Sequence, residues 1–164
     1  KSFSTKTVEI KGQAYQFKEL NPNDVKDLLA VERAVYDGEL PWTKSAFLSE
    51  MKSPFLNLYL GVFQGNELIG FIGARIFGFD CHITNIAVIP TYQRKNLGTK
   101  LIDEIEDFAI MNRCETLSLE VRISNQDAQR LYRKLGFQSR KVRKGYYTQT
   151  NEDALDMVKF LENE

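Results

Sequence analysis

A strand-like apolar run leads through a short basic loop into a helix start in the stretch Asn85-Ile86-Ala87-Val88-Ile89-Pro90-Thr91-Tyr92-Gln93-Arg94-Lys95-Asn96-Leu97-Gly98-Thr99. Pro90 ends the strand because proline cannot donate a main-chain hydrogen bond to a neighbouring strand. The backbone N–H groups of a helix start attract anions, and Arg94 and Lys95 add positive charge beside them. Gly98 lets a bound phosphate approach the backbone closely. Taken alone, an ordinary capped helix is the simpler interpretation of the segment.

Hydrophobic periodicity along the rest of the chain predicts an α/β fold around this strand–loop–helix unit. Four segments show the apolar spacing of amphipathic helices, at 25–35, 43–51, 97–109 and 125–135. Seven segments have the composition or alternation of strands, at 15–20, 56–64, 67–77, 82–89, 116–122, 137–142 and 154–161. The order predicts a mixed central sheet of about seven strands flanked by about four helices. The unit from residue 82 to 122 predicts two parallel strands at the sheet centre.

The strand predicted over 116–122 alternates between an apolar and a polar face. Leucine and valine side chains share one face, and the other face carries Ser118, Glu120 and Arg122. A carboxylate at Glu120 can therefore meet a substrate. A solvated strand glutamate is the competing interpretation when the strand is considered alone.

Asn125 begins the last predicted helix, in which Ala128, Leu131, Tyr132 and Leu135 are expected to point inward. Tyr132 by itself also fits an ordinary core aromatic residue. Asn125 fits the N-cap of the helix, because its side-chain oxygen can accept a hydrogen bond from the first turn.

Composition and charge argue against several classes of protein. The 164 residues fit one domain on a prior of about 100–200 residues per domain. Lys plus Arg and Asp plus Glu number 22 each, and this balance argues against direct binding to nucleic acid or to a membrane surface. No apolar run approaches the ~18 residues of a transmembrane helix, and the first residues lack the apolar core of a signal peptide. A cytoplasmic protein is expected.

Metal and disulfide chemistry are not expected. Two cysteines, Cys81 and Cys114, are too few for a disulfide framework and do not complete a zinc site with the single histidine, His82. Cys81 and His82 are adjacent on a strand and face opposite sides, which argues against a cysteine–histidine dyad. Cys114 fits a small buried residue.

The chain is predicted to fold as one domain from residue 13 to residue 164. Residues 1–12 are polar and contain lysines, and they are interpreted as an N-terminal extension or an extra edge strand. No repeat, low-complexity tract or Pro/Gly-rich linker divides the sequence.

Three motifs together resemble a known family. Residues 93–98 are similar to the Q/R-x-x-G-x-G/A pyrophosphate loop of the GCN5-related N-acetyltransferases, the GNAT family. Two further segments resemble that family's later motifs in the same order and spacing. They are Leu119-Glu120-Val121-Arg122-Ile123-Ser124-Asn125 and Leu131-Tyr132-Arg133-Lys134-Leu135-Gly136-Phe137. A narrower resemblance, to the RimI-type enzymes that acetylate the N-terminal alanine of a ribosomal protein, includes Leu40-Pro41-Trp42-Thr43 and Tyr146-Tyr147. The resemblance spans residues 20 to 161.

The resemblance implies the GNAT fold, in which the central parallel strands splay apart. One position departs from the family pattern, since Asn96 stands where the loop of the family has its first glycine. Asparagine is the non-glycine residue that best tolerates a left-handed backbone, so the loop is expected to keep its shape.

The resemblance also implies acetyl transfer from acetyl-CoA to an amine, with no metal. In the family pattern, the residue matching Glu120 is the general base, and the residue matching Tyr132 protonates the sulfur of coenzyme A. Main-chain groups near the end of the strand and in the loop are implied to hold the cofactor. The implied cofactor residues are Ile86, Ala87, Val88, Gln93, Arg94, Lys95, Asn96, Leu97, Gly98, Thr99 and Asn125.

The acceptor groove is assigned by resemblance to Trp42, Tyr146 and Tyr147. The implied partner is the N-terminus of a protein, with a ribosomal protein as the target. Two other functions stay open, namely acetylation of a small amine or a lysine side chain, and a non-catalytic acyl-CoA-binding module. A groove open at both ends would favour a peptide, whereas a closed pocket would favour a small amine.

Overall fold

The computed structural model describes residues 3–36, 42–147 and 151–162, which contain four α-helices and eight β-strands. The helices are α1 Val25–Val35, α2 Lys44–Met51, α3 Leu97–Met111 and α4 Gln126–Lys134. The strands are β1 Lys6–Ile10, β2 Gln13–Glu19, β3 Asn57–Gln64, β4 Glu67–Phe77, β5 Asp80–Val88, β6 Thr116–Arg122, β7 Gln138–Tyr147 and β8 Glu152–Phe160. Within these ranges, no helix is long and apolar enough to cross a membrane.

The strands form one sheet in the order β1-β2-β3-β4-β5-β6-β8-β7. The pairs β1–β2, β2–β3 and β3–β4 are antiparallel, and β8 is antiparallel to both β6 and β7. β5 and β6 are parallel, and their register pairs Asp80 with Thr116 and His82 with Ser118. The mixed sheet, its parallel pair and the four helices confirm the predicted fold class.

The sheet has one strand more than the sequence predicted. The additional strand is β1, which lies in the polar segment 1–12 and pairs with β2 across a turn at Lys11 and Gly12. Most of its residues are exposed, so no apolar run marked it. Lys6 of this strand lies 2.9 Å from Glu104 of α3. Of the two interpretations left open for the segment, the structure has the edge strand.

β7 is also longer than predicted, since it reaches Tyr147 where a polar connection was expected after residue 142. Most of its residues are exposed, so hydrophobic alternation could not reveal the strand. Main-chain pairing with β8 supports it instead, up to Tyr147 opposite Glu152. The extra length carries Arg143 and Tyr146 into the hairpin.

The residue contacts divide the chain into two compact units. Unit 1 consists of Lys1–Arg75 and Asn85–Ile105, and unit 2 consists of Ile76–Thr84 and Glu106–Glu164. β4, β5 and α3 each contribute residues to both units. The single domain from residue 13 to residue 164 stays a prediction.

Aromatic side chains fill the core of unit 1. Phe47 of α2 is fully buried, and its ring centroid lies 5.3 Å from that of Trp42, 5.9 Å from that of Phe71 and 6.0 Å from that of Tyr59. Burying one such side chain contributes roughly 1.5–3 kcal/mol. This cluster therefore fixes Trp42 against a well-packed core.

Unit 2 contains the alternating strand that the sequence predicted. Leu117, Leu119 and Val121 of β6 are buried on one face. Cys81 and Cys114 are buried as well, which confirms the interpretation of Cys114 as a small core residue. Burial raises the pKa of both thiols, so they stay protonated at neutral pH. The polar groups of β6 occupy the opposite face.

One residue predicted to point inward from α4 was assigned wrongly. Leu131 is 38% exposed, and Gln129 is buried together with Tyr132. The side-chain amide of Gln129 donates to the carbonyl oxygens of Arg122 at 3.1 Å and Ile123 at 3.0 Å. A buried glutamine satisfies these main-chain acceptors where β6 ends, and apolar periodicity cannot reveal such a requirement.

Glu32 of α1 is an acidic residue buried in unit 1, with 2% of its surface exposed. Its Oε2 accepts a 2.7 Å hydrogen bond from the backbone N–H of Trp42. Its Oε1 is buried without a hydrogen-bond partner among the described residues. Burial raises the pKa of Glu32 to about 7, against the lowering effects of the Trp42 N–H and of Arg33.

Glu32→Gln is expected to stabilise the protein at pH 8 and to change its stability little at pH 4.5. Because the folded pKa lies above the unfolded value of 4.5, the contribution of Glu32 to stability is fully present below that value. It is lost as the pH rises through about 7. Glutamine keeps an acceptor for Trp42 and avoids the buried charge, so the free energy of unfolding should rise by on the order of 1–3 kcal/mol at pH 8.

Urea denaturation at both pH values measures this effect. Glu67→Gln, at an exposed position of β4, is the control and should change stability little at either pH. An equal gain in the free energy of unfolding at both pH values in Glu32→Gln would contradict the raised pKa of Glu32.

Candidate active site

The loop between β5 and α3 contains two residues with left-handed backbone, a feature that occurs in anion-binding loops. Arg94 and Asn96 are both left-handed, each with φ of 64°, and Lys95 lies between them. Backbone that alternates in this way gathers successive N–H groups into a concavity that binds anions. Asn96 thus has the left-handed backbone that was expected of it.

Gly98 lies beside open space in the first turn of α3. Among the described residues outside its own helix, a Cβ atom at this position would meet no heavy atom within 4 Å. Leu97 is buried, so it has only its backbone to offer a ligand, and Thr99 is half-buried. The open space, the helix start and the basic loop together fit a phosphate group.

The end of β5 supplies main-chain groups to the same unit. Ala87 is buried, whereas Ile86 and Val88 are half-buried. The carbonyl oxygen of Val88 accepts a 2.8 Å hydrogen bond from the side-chain amide of Gln93. Gln93 therefore braces the loop against β5, while its contact with a cofactor stays a prediction, like those of Ile86 and Val88.

Three side chains hold Glu120 on the polar face of β6 in unit 2. Its Oε1 lies 2.9 Å from Nε2 of His82 and accepts a 3.3 Å hydrogen bond from the Tyr146 hydroxyl. Its Oε2 lies 3.5 Å from Nε of Arg143. The Glu120 side chain is only 10% exposed. It is held in one orientation and is not a freely solvated strand glutamate.

These partners keep Glu120 ionised. Burial by itself raises the pKa of Glu120, but the hydrogen bond and charge of His82, the charge of Arg143 and the Tyr146 hydroxyl hold that pKa below its ordinary value. Burial and the charge of Glu120 raise the pKa of Tyr146, whose hydroxyl stays protonated and donates. At neutral pH this cluster offers a carboxylate as a proton acceptor.

Asp156 of β8 lies directly opposite Glu120 in the β6–β8 register and is fully buried. Nη2 of Arg140 lies 3.0 Å from its Oδ1, and Nη2 of Arg143 lies 3.5 Å from its Oδ2. Because a buried charge needs such partners, the two arginines are required on this face. Arg143 bridges Asp156 and Glu120 and is thereby fixed beside both.

Sequence reasoning missed His82 as part of this cluster. The two strands were predicted to be parallel, but neither strand's own pattern gives their register. The register pairs His82 with Ser118, two residues before Glu120 on the same face. A polar side chain on each of two neighbouring strands was the only signal available. The prediction that His82 forms no dyad with Cys81 agrees with the structure, where Cys81 is buried and His82 faces Glu120.

Tyr132 and Asn125 lie in and before α4. Tyr132 is 9% exposed, and its ring packs edge-on against Phe137 with centroids 5.8 Å apart. The side-chain oxygen of Asn125 accepts a 3.1 Å hydrogen bond from the backbone N–H of Ala128. Asn125 is therefore the N-cap of the helix, the first of its two predicted roles. The proton-donating role of Tyr132 stays a prediction.

Two of the predicted acceptor residues lie together in unit 2. The rings of Tyr146 and Tyr147 meet edge-on with centroids 5.1 Å apart, and the guanidinium of Arg122 lies 4.4 Å from the centre of the Tyr147 ring. Tyr146 is 46% exposed while its hydroxyl contacts Glu120. An exposed aromatic surface thus adjoins the carboxylate.

Trp42, the third predicted acceptor residue, belongs to unit 1. It borders a cavity of about 320 Å³, together with Ala46, Ser49, Glu50, Ser53 and Arg75. Arg75 and Glu50 form an ion pair at 3.0 Å. Leu40 and Pro41, which belong to the same motif as Trp42, lie outside the described residues.

Comparison with known proteins agrees with this geometry. The acetyltransferase (GNAT) family model matches residues 23–137. The ribosomal-protein bS18 alanine N-acetyltransferase of Escherichia coli is 36% identical over 120 residues, covering 72% of this chain and 80% of that protein. The N-alpha-acetyltransferase RimI of Mycobacterium tuberculosis is 36% identical over 138 residues, covering 82% of this chain and 85% of that protein.

Solved structures of acetyltransferases share the fold of this chain. The crystal structure of the ribosomal-protein-S18-alanine N-acetyltransferase from Escherichia coli aligns with a TM-score of 0.80 at 30% identity, covering 92% of this chain and 96% of that chain. The PaiA N-acetyltransferase of Thermoplasma acidophilum, in complex with coenzyme A, shares the fold with a TM-score of 0.74 at 23% identity, covering 90% and 99%.

The chain therefore belongs to the GNAT family of acetyltransferases. Within that family it is similar to the RimI-type ribosomal-protein alanine N-acetyltransferases, as its motifs predicted.

Proposed function

We propose that this protein transfers the acetyl group of acetyl-CoA to the N-terminal α-amine of a protein in the cytoplasm, with a ribosomal protein as the target. The observation that carries the proposal is the oriented, ionised carboxylate of Glu120 next to the exposed ring of Tyr146. Its RimI-type relatives are described as acting on ribosomal protein bS18, which supports the choice of target. The balance of acidic and basic residues argues against nucleic acid or a membrane surface as a direct partner.

The loop of unit 1 fits the phosphates of acetyl-CoA. Arg94 and Lys95 supply positive charge, the left-handed backbone gathers N–H donors, and Gly98 leaves space for close approach. Main-chain groups of Ile86 and Val88 are proposed to bind the extended arm in the manner of an added strand. When bound, acetyl-CoA supplies an activated acyl group as a thioester.

The strength of the base favours an α-amine over a lysine. A free α-amine has a pKa of ~7.7–8.0, whereas a lysine side chain has one of ~10.4. Glu120 is a modest base because its neighbours lower its pKa. Such a group suits an acceptor that is already partly neutral at pH 7.

Tyr132 is proposed to donate a proton to the departing sulfur. Its position seven residues after Asn125 places it two turns along α4. Its ring packs against Phe137, which fixes the side chain in one orientation. A phenol held in this way can donate without reorganising its surroundings.

A non-catalytic acyl-CoA-binding module is the less supported function. Holding a carboxylate that is 10% exposed among a histidine, an arginine and a tyrosine costs desolvation energy. A module that only binds an acyl-CoA has no use for this arrangement. The competition assay described next distinguishes acetylation of a small amine from acetylation of a protein N-terminus.

A competition assay tests the proposed function. The wild-type protein is incubated with acetyl-CoA and a peptide that begins with Ala and contains one internal lysine, alongside the same peptide with a blocked N-terminus and spermidine. Tandem mass spectrometry should locate the acetyl group on the α-amine alone. Preference for lysine or spermidine would overturn the choice of acceptor, and binding of acetyl-CoA without any product would favour the module.

Gly98→Ala is expected to weaken acetyl-CoA binding without destabilising the protein. The added methyl group meets open space in the protein but projects where a phosphate is proposed to lie. Affinity measured by calorimetry should fall by about tenfold or more, equivalent to about 1.4 kcal/mol. Alanine is the better helix former, so the ligand-free protein should melt at the same or a higher temperature.

Ser45→Ala is the matched control, because Ser45 is the exposed second residue of α2 as Gly98 is the second residue of α3. It should leave the affinity unchanged. Unchanged affinity in Gly98→Ala would place the phosphates elsewhere.

Glu120→Gln is expected to reduce turnover by on the order of 10²–10⁴ and to leave acetyl-CoA affinity nearly intact. The amide cannot accept the proton of the amine. Activity should partly return as the pH rises, because more of the acceptor is then already neutral. Steady-state rates between pH 6 and pH 9.5 measure both effects, with Glu115→Gln at the exposed position before β6 as control. Equal rates at neutral pH would make Glu120 structural.

Tyr132→Phe removes only the hydroxyl and keeps the ring that packs on Phe137. Turnover should fall while the melting temperature stays close to that of the wild type. Tyr15→Phe, at a buried tyrosine of β2, is the control and should leave turnover unchanged. A Tyr132→Phe variant with wild-type turnover would assign Tyr132 to the core alone.

A further inference from the structure

The two oxygens of the Glu120 carboxylate differ in their partners. Oε1 lies 2.9 Å from Nε2 of His82 and accepts a 3.3 Å hydrogen bond from the Tyr146 hydroxyl. Oε2 accepts no hydrogen bond from the described residues, and its ion-pair contact is Nε of Arg143 at 3.5 Å. Because an ionised carboxylate oxygen can accept more than one hydrogen bond, Oε2 is the oxygen that has room for a further donor.

Arg143 stands beside Oε2 without bonding to it. Its Nε is buried and makes no hydrogen bond to any described residue. A guanidinium and an ionised carboxylate ordinarily approach to about 2.7–2.9 Å, because the hydrogen bond between them is charge-assisted. The Arg143 side chain is long and 41% exposed, so a specific contact is needed to keep it at the greater distance.

The carboxylate of Asp156 supplies that contact. Its Oδ2 accepts from Nη2 of Arg143 at 3.5 Å. Asp156 is a fixed anchor, because it is fully buried and accepts hydrogen bonds of 3.0, 3.2 and 3.3 Å from Arg140. Nε and Nη2 form one edge of the planar guanidinium, and a bidentate pair needs both of them. The edge that could grip Glu120 is therefore divided between two acids.

The register of the sheet explains why the two acids share an arginine. Glu120 of β6 and Asp156 of β8 are directly opposite each other, and like charges in that arrangement repel. Arg143 contacts both carboxylates from β7 and offsets the repulsion. Its position between them also sets how closely it approaches Glu120.

We propose that Asp156 is a positioning residue that holds Arg143 away from Oε2 of Glu120 and so leaves this oxygen open to the acceptor amine, an inference that rests on the proposed function. Without Asp156, both nitrogens of the shared edge would bond to Glu120. Such a pair would occupy Oε2 and weaken Glu120 as a proton acceptor, because hydrogen bonds to a carboxylate favour its ionised form. With Asp156 in place, an N–H group of the acceptor meets Oε2.

The Nε proton of Arg143 tests the first step by NMR, without turnover. In ¹⁵N-labelled protein free of acetyl-CoA and acceptor, its signal is assigned by its absence in Arg143→Lys. A hydrogen bond to a carboxylate moves such a proton downfield. The wild-type signal should lie at the upfield position of an unbonded Nε–H. A wild-type signal already at the downfield position would overturn the proposal, whether or not the variants fold.

Asp156→Asn keeps the shape of the side chain and removes the charge that attracts Arg143. The Nε proton of Arg143 should then move downfield, because the guanidinium closes on Glu120. Asp127→Asn is the control, since Asp127 pairs with Arg130 at an exposed position of α4. It should leave the Arg143 signal unchanged. An unchanged signal in Asp156→Asn would mean that Asp156 does not hold Arg143 away from Glu120.

Steady-state kinetics test the second step. At pH 7, Asp156→Asn should lower kcat for the Ala-initiated peptide by on the order of tenfold, with the KM for acetyl-CoA unchanged. In an Arg143→Gln protein the same substitution should cause no further loss, because Asp156 acts through Arg143.

Equal losses of kcat with and without Arg143 would make Asp156 structural, and no loss in either protein would also overturn the proposal. A wild-type protein that acetylates no amine would refute the proposed function and the role of Oε2 with it. The NMR result would then still establish whether Asp156 holds Arg143 away from Glu120, so the two failures are distinguishable.

Discussion

The contacts that orient the Glu120 carboxylate and keep it ionised are the constraint on which the proposed chemistry depends. A carboxyl with 10% exposure would ordinarily hold its proton more tightly. His82, Arg143 and Tyr146 reverse that effect and fix the direction of the side chain. His82 lies on β5, whereas Arg143 and Tyr146 both lie on β7. The long β7 strand is therefore part of the site, although most of its residues are exposed.

In the proposed function, the loop of unit 1 has a separate role, which is to bind an anion largely through its backbone. Arg94 and Asn96 adopt left-handed conformations, and the amide of Gln93 anchors the loop to β5. A loop of this shape can bind an anion mainly through N–H groups, and asparagine adopts the left-handed backbone that it needs at position 96. At Gly98 the described residues leave open space, and the phosphate proposed to occupy that space would be the reason for a missing side chain.

Local patterns in the sequence predicted the four helices and all of the strands except β1, because amphipathic periodicity follows directly from burial. They failed for β1 and for the end of β7, where exposed residues pair through the main chain. Motifs singled out Glu120, but register between parallel strands is a tertiary property, so the pairing with His82 could not be predicted. The burial of Gln129 and Glu32 could not be predicted for a similar reason, since each side chain hydrogen-bonds to particular main-chain groups.

The most direct test of this account is a crystal structure with a bisubstrate analogue that joins coenzyme A to the α-nitrogen of an Ala-initiated peptide. The account predicts that this nitrogen lies within about 3.2 Å of a Glu120 carboxylate oxygen, or is joined to it by one water molecule. It also predicts that His82 still contacts Glu120 in that complex. An α-nitrogen that hydrogen-bonds to other groups, with Glu120 directed only toward His82, Arg143 and Tyr146, would contradict the assignment of Glu120 as the base.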